Sequence, residues 1–491
     1  MSTKKLSRRD FLRISALSAA GAALAGCGAP TPEVVKETVE VPLEQTVEVE
    51  KTVIVEQTVV VEPTTAPVEL VVVTDRFHDN QPDRGREELD IASFNERMAA
   101  EGIPYRVEAE LGPSVYEDFE TKLTVDAAAG TMPDITHLVN RQFADFVAAG
   151  YLADLTPYVT AWDGWQHIYP VLREGSTIDG KVYWVPRSVG TMNIFYRKDV
   201  MEEAGISTAQ PQTYDDFYAL CDEIVTKTDA MPCGFPAGLQ WGGGSWGESF
   251  KFIWLGFAEN NEIYDPADER WVVKSDGLLG ALGVIETLAT NGWLTVDMLL
   301  SPNPWVPIKY EGFPQGTVMF VTGGHWQWTF DWGPEGQTPI EGLFEKVDTW
   351  LFPSEISEPF VYTTLGGGYV VSANSEHPDA AFEYVKHVLD PEVTCKNSAA
   401  VDHNWGPTSR DDVTDVCEYY RTAVNGKLAS ASSEVIAGRT MRAHVGEGKI
   451  SDGVARVTES IITGEATAEE AMEEFAREMT ESLGEDAVKE L

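Results

Sequence analysis

Four consecutive apolar residues, Leu70-Val71-Val72-Val73, closed by Thr74-Asp75, constrain this chain more than any other feature. A strand with one wet face alternates apolar and polar side chains, so an unbroken run points to a strand covered on both faces. That is the strand of a parallel sheet flanked by helices. The next residues fit such a sheet. Ile91, Phe94 and Met98 recur at helical spacing until Gly102 and Pro104 stop the pattern, and Tyr105, Val107, Ala109 and Leu111 then alternate as a strand. Tyr116, Phe119, Leu123 and Ala127 mark a second helix, Gly130 ends it, and residues 135–139 supply a third strand. This βαβαβ order predicts an α/β domain with its ligand at the carboxyl ends of the strands, beside residues 75–80 and 140–142.

The pattern restarts downstream, with residues 181–185 extended and Tyr214, Phe217, Leu220 and Ile224 at helical spacing. A chain of 491 residues, 43% of them hydrophobic, has material for two or three such domains. Near the end, Thr467 and Glu470 form a capping-box pattern before Met472, Phe475 and Met479, which predicts a last amphipathic helix packed on the final domain.

The first residues belong to no fold. Residues 1–26 hold Lys4, Lys5, Arg8, Arg9 and Arg13 ahead of a short Ala/Gly-rich apolar stretch, the order of an export signal. Ser7-Arg8-Arg9-Asp10-Phe11-Leu12 resembles the twin-arginine signal, and Leu24-Ala25-Gly26-Cys27 resembles a bacterial lipobox. In that class of signals the chain is cut before the Cys, and Cys27 takes the lipid. Several acyl chains hold a domain at a membrane without a spanning helix. Residues 27–68 then repeat Glu-x-Thr-Val-x-Val every six residues between prolines, a Thr/Val/Glu/Pro-rich composition that reads as an extended tether.

Charge and motifs narrow the chemistry. With 36 basic against 79 acidic residues the net charge is -43, which repels phosphate backbones, so nucleic acid is not an expected partner. Gly243-Gly-Ser245-Trp-Gly247 fits the G-x-S-x-G pattern of serine hydrolases, but a nucleophile elbow needs a strand before it and Gln240-Trp241-Gly242 is a glycine loop. The sequence holds no H-E-x-x-H, P-loop or C-x-x-C motif, and neither a cofactor nor a metal is expected. Carboxylate pairs suited to glycoside hydrolysis have no sequence signature, because their separation is three-dimensional. Beyond Cys27, the pairings Cys221 with Cys233 and Cys395 with Cys417 are the local disulfide choices, with four free thiols as the alternative.

The chain holds 14 Trp, 16 Tyr and 20 Phe, more aromatic surface than a core of this size needs, and several of these rings stand beside glycines. A sugar has an apolar C–H face and an edge of hydroxyls, so a Trp platform ringed by polar groups suits it. Trp326 and Trp328 follow the strand-like residues 317–321 and Gly323-Gly324; Trp241 and Trp246 lie in the glycine loop.

Several segments, in order, resemble the extracellular solute-binding proteins of ABC importers, in the sugar-binding family that includes the maltodextrin-binding protein. They are Gly130-Thr-Met-Pro-Asp-Ile-Thr-His137, Gly150-Tyr-Leu-Ala-Asp-Leu-Thr-Pro157, Asp179-Gly-Lys-Val-Tyr-Trp-Val-Pro186 and Ile194-Phe-Tyr-Arg-Lys-Asp199 with Ala204-Gly205. Phe313-Pro-Gln-Gly-Thr-Val-Met-Phe320 leading to Gly324-His-Trp326, and Gly366-Gly-Gly-Tyr-Val-Val-Ser-Ala-Asn374 with His377-Pro-Asp-Ala-Ala-Phe382, continue the likeness. Arg197 stands where the family has Asn, which reads as a surface or hinge change.

The resemblance covers about residues 69–485 and implies a two-lobed periplasmic-binding-protein-like fold of type II, closing on one ligand by a hinge. Residues 69–190 with 365–402 would form the first lobe and residues 191–364 with 403–491 the second, with crossings near 188–193, 363–367 and 403–410. It implies a sugar receptor that serves a membrane permease and is not an enzyme, and a monomer is expected. Trp326 matches the family's stacking aromatic. Trp241, Trp246, Tyr369 and Trp405 are the expected further walls, and His325, Asp75, His78, Arg141 and Arg187 the polar partners. Arg187 has an interlobe ion pair as its alternative role. A same-fold receptor for a peptide, polyamine or glycerol phosphate and a surface glycoside or serine hydrolase are the rival readings.

Overall fold

The computed structural model describes residues 67–74, 84–113, 116–334, 336–364, 367–401, 408–421 and 438–491. The leader with Cys27, the tether up to residue 66, Asp75, His78 and Trp405 lie outside these described residues, as does the side chain of Arg141. In chain order the elements that place the site are β1 (Val68–Thr74), α1 (Arg84–Glu101), β2 (Tyr105–Leu111), α2 (Tyr116–Ala129), β3 (Ile135–Val139), α3 (Asn140–Ala148), β4 (Val185–Pro186) and β5 (Gly190–Arg197). There follow α4 (Tyr214–Lys227), β6 (Met231–Cys233), α5 (Asp276–Thr290), β7 (Val318–Gly324), β8 (Val347–Trp350), β9 (Tyr362–Thr364) and β10 (Gly367–Val371). The last are α6 (Pro378–Val388), α7 (Pro391–Val401), α8 (Glu447–Ile462) and α9 (Ala468–Leu483).

Two sheets organise these elements. The first has the order β2-β1-β3-β10-β4, with β1 parallel to both β2 and β3, and β10 antiparallel to β3 and β4. Leu70 and Val72 point into one apolar core with Phe94 and Met98 of α1, whereas Val73 joins Phe119, Leu123 and Ala127 of α2 in a second. Burial on both faces accounts for Leu70, Val72 and Val73, whereas Val71 of the same run is exposed, so the strand is covered on its second face only towards its end. The second sheet has the order β8-β5-β7-β6, with β9 also paired to β5, and packs into a separate large core that includes Phe217 and Ile224 of α4. The capping box at Thr467 is made in both directions, and α9 packs on α8 and α5.

Among the described residues, two passages connect the lobes. β4 pairs in the first sheet and β5 in the second, so the chain crosses at residues 187–189; it returns between β9 and β10. Residues 408–410, at the end of the third expected crossing, depart from the sequence expectation. Residues 408–421 still pack on the first lobe, where the Tyr169 amide donates to the Ser409 carbonyl and Ile168 bridges Arg410. The Cys395–Cys417 disulfide ties this segment to α7, and Arg439 is the next described residue that pairs in the second lobe, with Tyr362. Cys221 and Cys233 are instead buried thiols, Sγ to Sγ 3.7 Å. Arg197 is also corrected: it is buried, not at the surface, clamping Asp199 and donating to the carbonyls of Phe313 and Pro314.

Candidate ligand-binding site

β7 ends where it pairs with the start of β5, Gly323 opposite Asn193 and Gly324 opposite Met192. The chain then folds into a single tight turn, His325–Trp328. Both glycines are required there. A Cβ on Gly324 would lie 2.0 Å from Cζ3 of Trp326, and one on Gly323 would lie 1.5 Å from Oε1 of Gln327, so the two side chains lie back against the strand they have just left. His325 packs in the same way on Gly190, the first residue of β5, where a Cβ would meet its Cε1 at 2.7 Å. The turn is thereby set against the crossing between the lobes.

Within this turn the roles divide by exposure. Trp328 is a core residue, against Phe195 and Phe344. Trp326 is half-buried, with the His325 ring edge-on at 5.5 Å. Gln327 is fully buried, yet neither end of its amide finds a partner among the described residues. A buried polar group left in this way costs free energy unless something completes it.

A second group of side chains gathers around two π-helical turns, Ser245–Phe250 and Val306–Gly312, both packed on β7. Such turns widen the helical ladder and recur at functional sites. Trp241 and Trp305 meet with ring centroids 4.5 Å apart, and the Lys309 ammonium lies 4.4 Å from the Trp305 ring and 5.5 Å from Trp241. Lys309 is wholly buried and ion-paired to Glu248. Asp331 is buried near the same lysine; burial, reinforced by Glu248, pushes its carboxyl up to about 7, against the pull of Lys309 and a Tyr310 hydrogen bond. Its Oδ2 and the indole N–H of Trp241 have no hydrogen-bond partner among the described residues.

Other expected site residues are placed elsewhere. Trp246 is fully buried and donates to Glu447, which also takes Lys251, so its ring belongs to the core and not to a cleft wall. Ser245 donates to the Gly238 carbonyl and follows a helical turn, Leu239–Trp241, not a strand; this is no nucleophile elbow. Tyr369 is buried in the first lobe's core, 5.8 Å beneath Arg187. Arg187 pairs with Glu87 and Asp90 of α1 in the first lobe, and Asp90 also takes Arg86 and Asn397.

Trp305, Lys309, Glu248, Gln327 and Asp331 were absent from the sequence expectation. Trp305 had a signal, an aromatic ring after Pro302-Asn303-Pro304, but its partner Trp241 is far away in sequence. A lysine among apolar neighbours carries no sign that it is buried.

The diacetylchitobiose binding protein DasA of Streptomyces coelicolor is 27% identical over 282 residues, covering 56% of this chain and 60% of that protein. The arabinooligosaccharide-binding protein of Bacillus subtilis is 31% identical over 122 residues, 24% of this chain and 28% of that one. The alignments therefore span less than two thirds of these relatives' lengths. Among solved structures, the GacH receptor of Streptomyces glaucescens has a TM-score of 0.67 at 18% identity, covering 85% of this chain and 99% of its own. The sugar-binding protein MalE of Xanthomonas citri gives 0.63 at 20% identity, with 85% and 97% covered. At such identities these two show the fold, the two-lobed α/β arrangement that the sheets display. The model of the family described as bacterial extracellular solute-binding protein matches residues 106–394, more than half of the chain, and the protein belongs to that family.

Proposed function

We propose that the protein is the sugar receptor of an ABC importer, held at the membrane by lipid on Cys27 after export through the twin-arginine signal, with residues 27–68 as its tether. It takes a mono- or oligosaccharide between the lobes, closes at the crossings, and hands the ligand unaltered to a permease. The observation that carries this reading is Trp326, half-buried and locked over Gly324 beside the crossing strand, with the unpartnered Gln327 amide next to it. A rigid, half-buried indole face suits the apolar C–H face of a sugar ring. The sugar-binding relatives support the same ligand class.

The test is thermal unfolding of the full chain against neutral mono- and oligosaccharides, with polyamines and peptides as controls and the ligand assayed afterwards. A sugar at 100 times its dissociation constant should raise stability by about 2.7 kcal/mol and be recovered intact. Trp326→Ala should cost about 2 kcal/mol of binding, roughly thirtyfold in Kd. Stabilisation by a polyamine or peptide alone would replace sugar as the ligand, and a cleaved sugar would make the protein a hydrolase.

A further inference from the structure

A single peptide unit is bonded to both lobes. The carbonyl of Val445 accepts from the indole N–H of Trp271, a core residue of the second lobe, at 2.9 Å. The N–H of the same peptide plane, on Gly446, donates to Oδ1 of Asp145 at 3.0 Å. Asp145 stands on α3, whose Phe143, Ala144 and Phe146 pack in the first lobe, whereas Gly446 caps α8, whose Ile450, Val454 and Val457 pack in the second. The φ of Gly446 is +85°, and a Cβ there would meet Cδ2 of Leu483 at 2.6 Å, so only glycine sets the peptide in this orientation. Residues just before it also reach the first lobe: Arg442 pairs with Glu174, and Ala443 joins the apolar residues around Phe143.

The place of this bond in the fold gives it a use. α3 leaves β3 directly, Asn140 following Val139, so its first turns rise from the carboxyl edge of the first sheet, where ligands of open α/β sheets bind. A bond from there to the other lobe is made as a hinge closes on that side and broken as it opens. The contact is also of a kind that can part: the Asp145 side chain is half-buried, and the Arg442–Glu174 pair is exposed at both ends. Charge does not drive it. Burial, reinforced by Glu447, raises the Asp145 carboxyl above its ordinary value, against the Gly446 amide and Lys449. The acceptor oxygen, more than the negative charge, is what the Gly446 amide needs. Resting on the receptor reading above, we propose that Asp145 is a positioning residue of the closed receptor, whose side-chain oxygen latches the start of α8 to the first lobe while ligand is held and releases it when the lobes part.

Calorimetric and stopped-flow titration of the full chain tests this, with whichever ligand of the panel above binds wild type most tightly. Asp145→Ala removes the acceptor without weakening α3, since alanine favours helix, and should weaken binding about tenfold. The change should sit in faster dissociation, because the latch forms after the ligand has entered. Asp145→Asn keeps an acceptor oxygen and should stay within about threefold of wild type. Ligand-free unfolding of Asp145→Ala should match wild type, because the open receptor lacks the bond; a merely structural contact would lower that stability and leave the dissociation rate unchanged. Wild-type affinity in Asp145→Ala would therefore overturn the latch, and so would tighter binding, which would assign the bond to the open form. A polyamine or peptide bound in place of sugar would overturn the sugar reading while the same variants decide the latch with that ligand. No ligand for wild type would remove the receptor reading and the latch together.

Discussion

Each lobe buries a cluster of charged side chains beside aromatic rings, and the two clusters are completed to different degrees. In the first lobe Arg86, Arg187, Glu87 and Asp90 balance in charge, and every one is paired; Asp90 alone takes Arg86, Arg187 and the Asn397 amide. In the second lobe Glu248 and Asp331 share Lys309, while Asp331 Oδ2, the Trp241 N–H and the Gln327 amide have no partner among the described residues. A buried charge must be matched where it sits or be matched by something that arrives. The charges of the first cluster are therefore matched within its lobe, although the Tyr369 and Tyr384 hydroxyls beside them have no partner among the described residues, whereas in the second the Asp331 carboxyl is itself incompletely matched.

Removing one cation from each cluster should separate them most. Arg187→Met leaves Glu87 and Asp90 buried with one arginine between them and should cost about 3–5 kcal/mol in urea unfolding. Lys309→Met should cost less, about 1–2 kcal/mol, because Glu248 is partly exposed and Asp331 can take a proton. Equal losses would break the distinction. Asp331 supplies the next effect. The folded protein binds its proton more tightly than the unfolded chain does, so stability is withdrawn as pH rises from about 4 to about 7 and the loss is complete above that. Asp331→Asn removes this slope, and relative to wild type it should gain up to roughly 4 kcal/mol between pH 4 and pH 8. Matching pH profiles of the two proteins in denaturant would show that Asp331 keeps an ordinary acidity and that the second cluster is closed like the first.

The comparison also shows what the sequence could disclose. Apolar runs and helical spacing placed β1, α1, β2, α2 and β3, because local periodicity is set by which faces are buried. The Trp326 turn was legible for a related reason: two adjacent glycines before an aromatic mark a strand end over which a ring can fold. Trp246 and Tyr369 were misplaced because an aromatic next to glycine does not reveal what covers its other side, and here Lys251 and Arg187 do so. Lys309 and Glu248 lie on separate π-turns, and their pairing exists only in three dimensions. The excursion of residues 408–421 was hidden likewise, since it depends on the closed Cys395–Cys417 bridge and on hydrogen bonds to residues 167–169.

His444 gives a smaller pH effect than Asp331 and a control of opposite sign, away from both clusters. Its ring stacks on Tyr264 at 3.6 Å, and burial, helped by Lys251 and Arg442 and opposed by Glu447, lowers its pKa to about 4. Here the unfolded chain binds the proton more tightly, so stability falls as pH drops from 6.5 towards about 4 and is lost no further below that. Discounted for partial exposure, the effect is about 2 kcal/mol. His444→Phe keeps an aromatic ring on Tyr264 and should flatten this acid limb while leaving the limb set by Asp331 untouched. If His444→Phe and Asp331→Asn instead moved the same part of the profile in the same direction, the pH dependence would belong to the whole molecule and the second cluster would lose its claim to be separately poised.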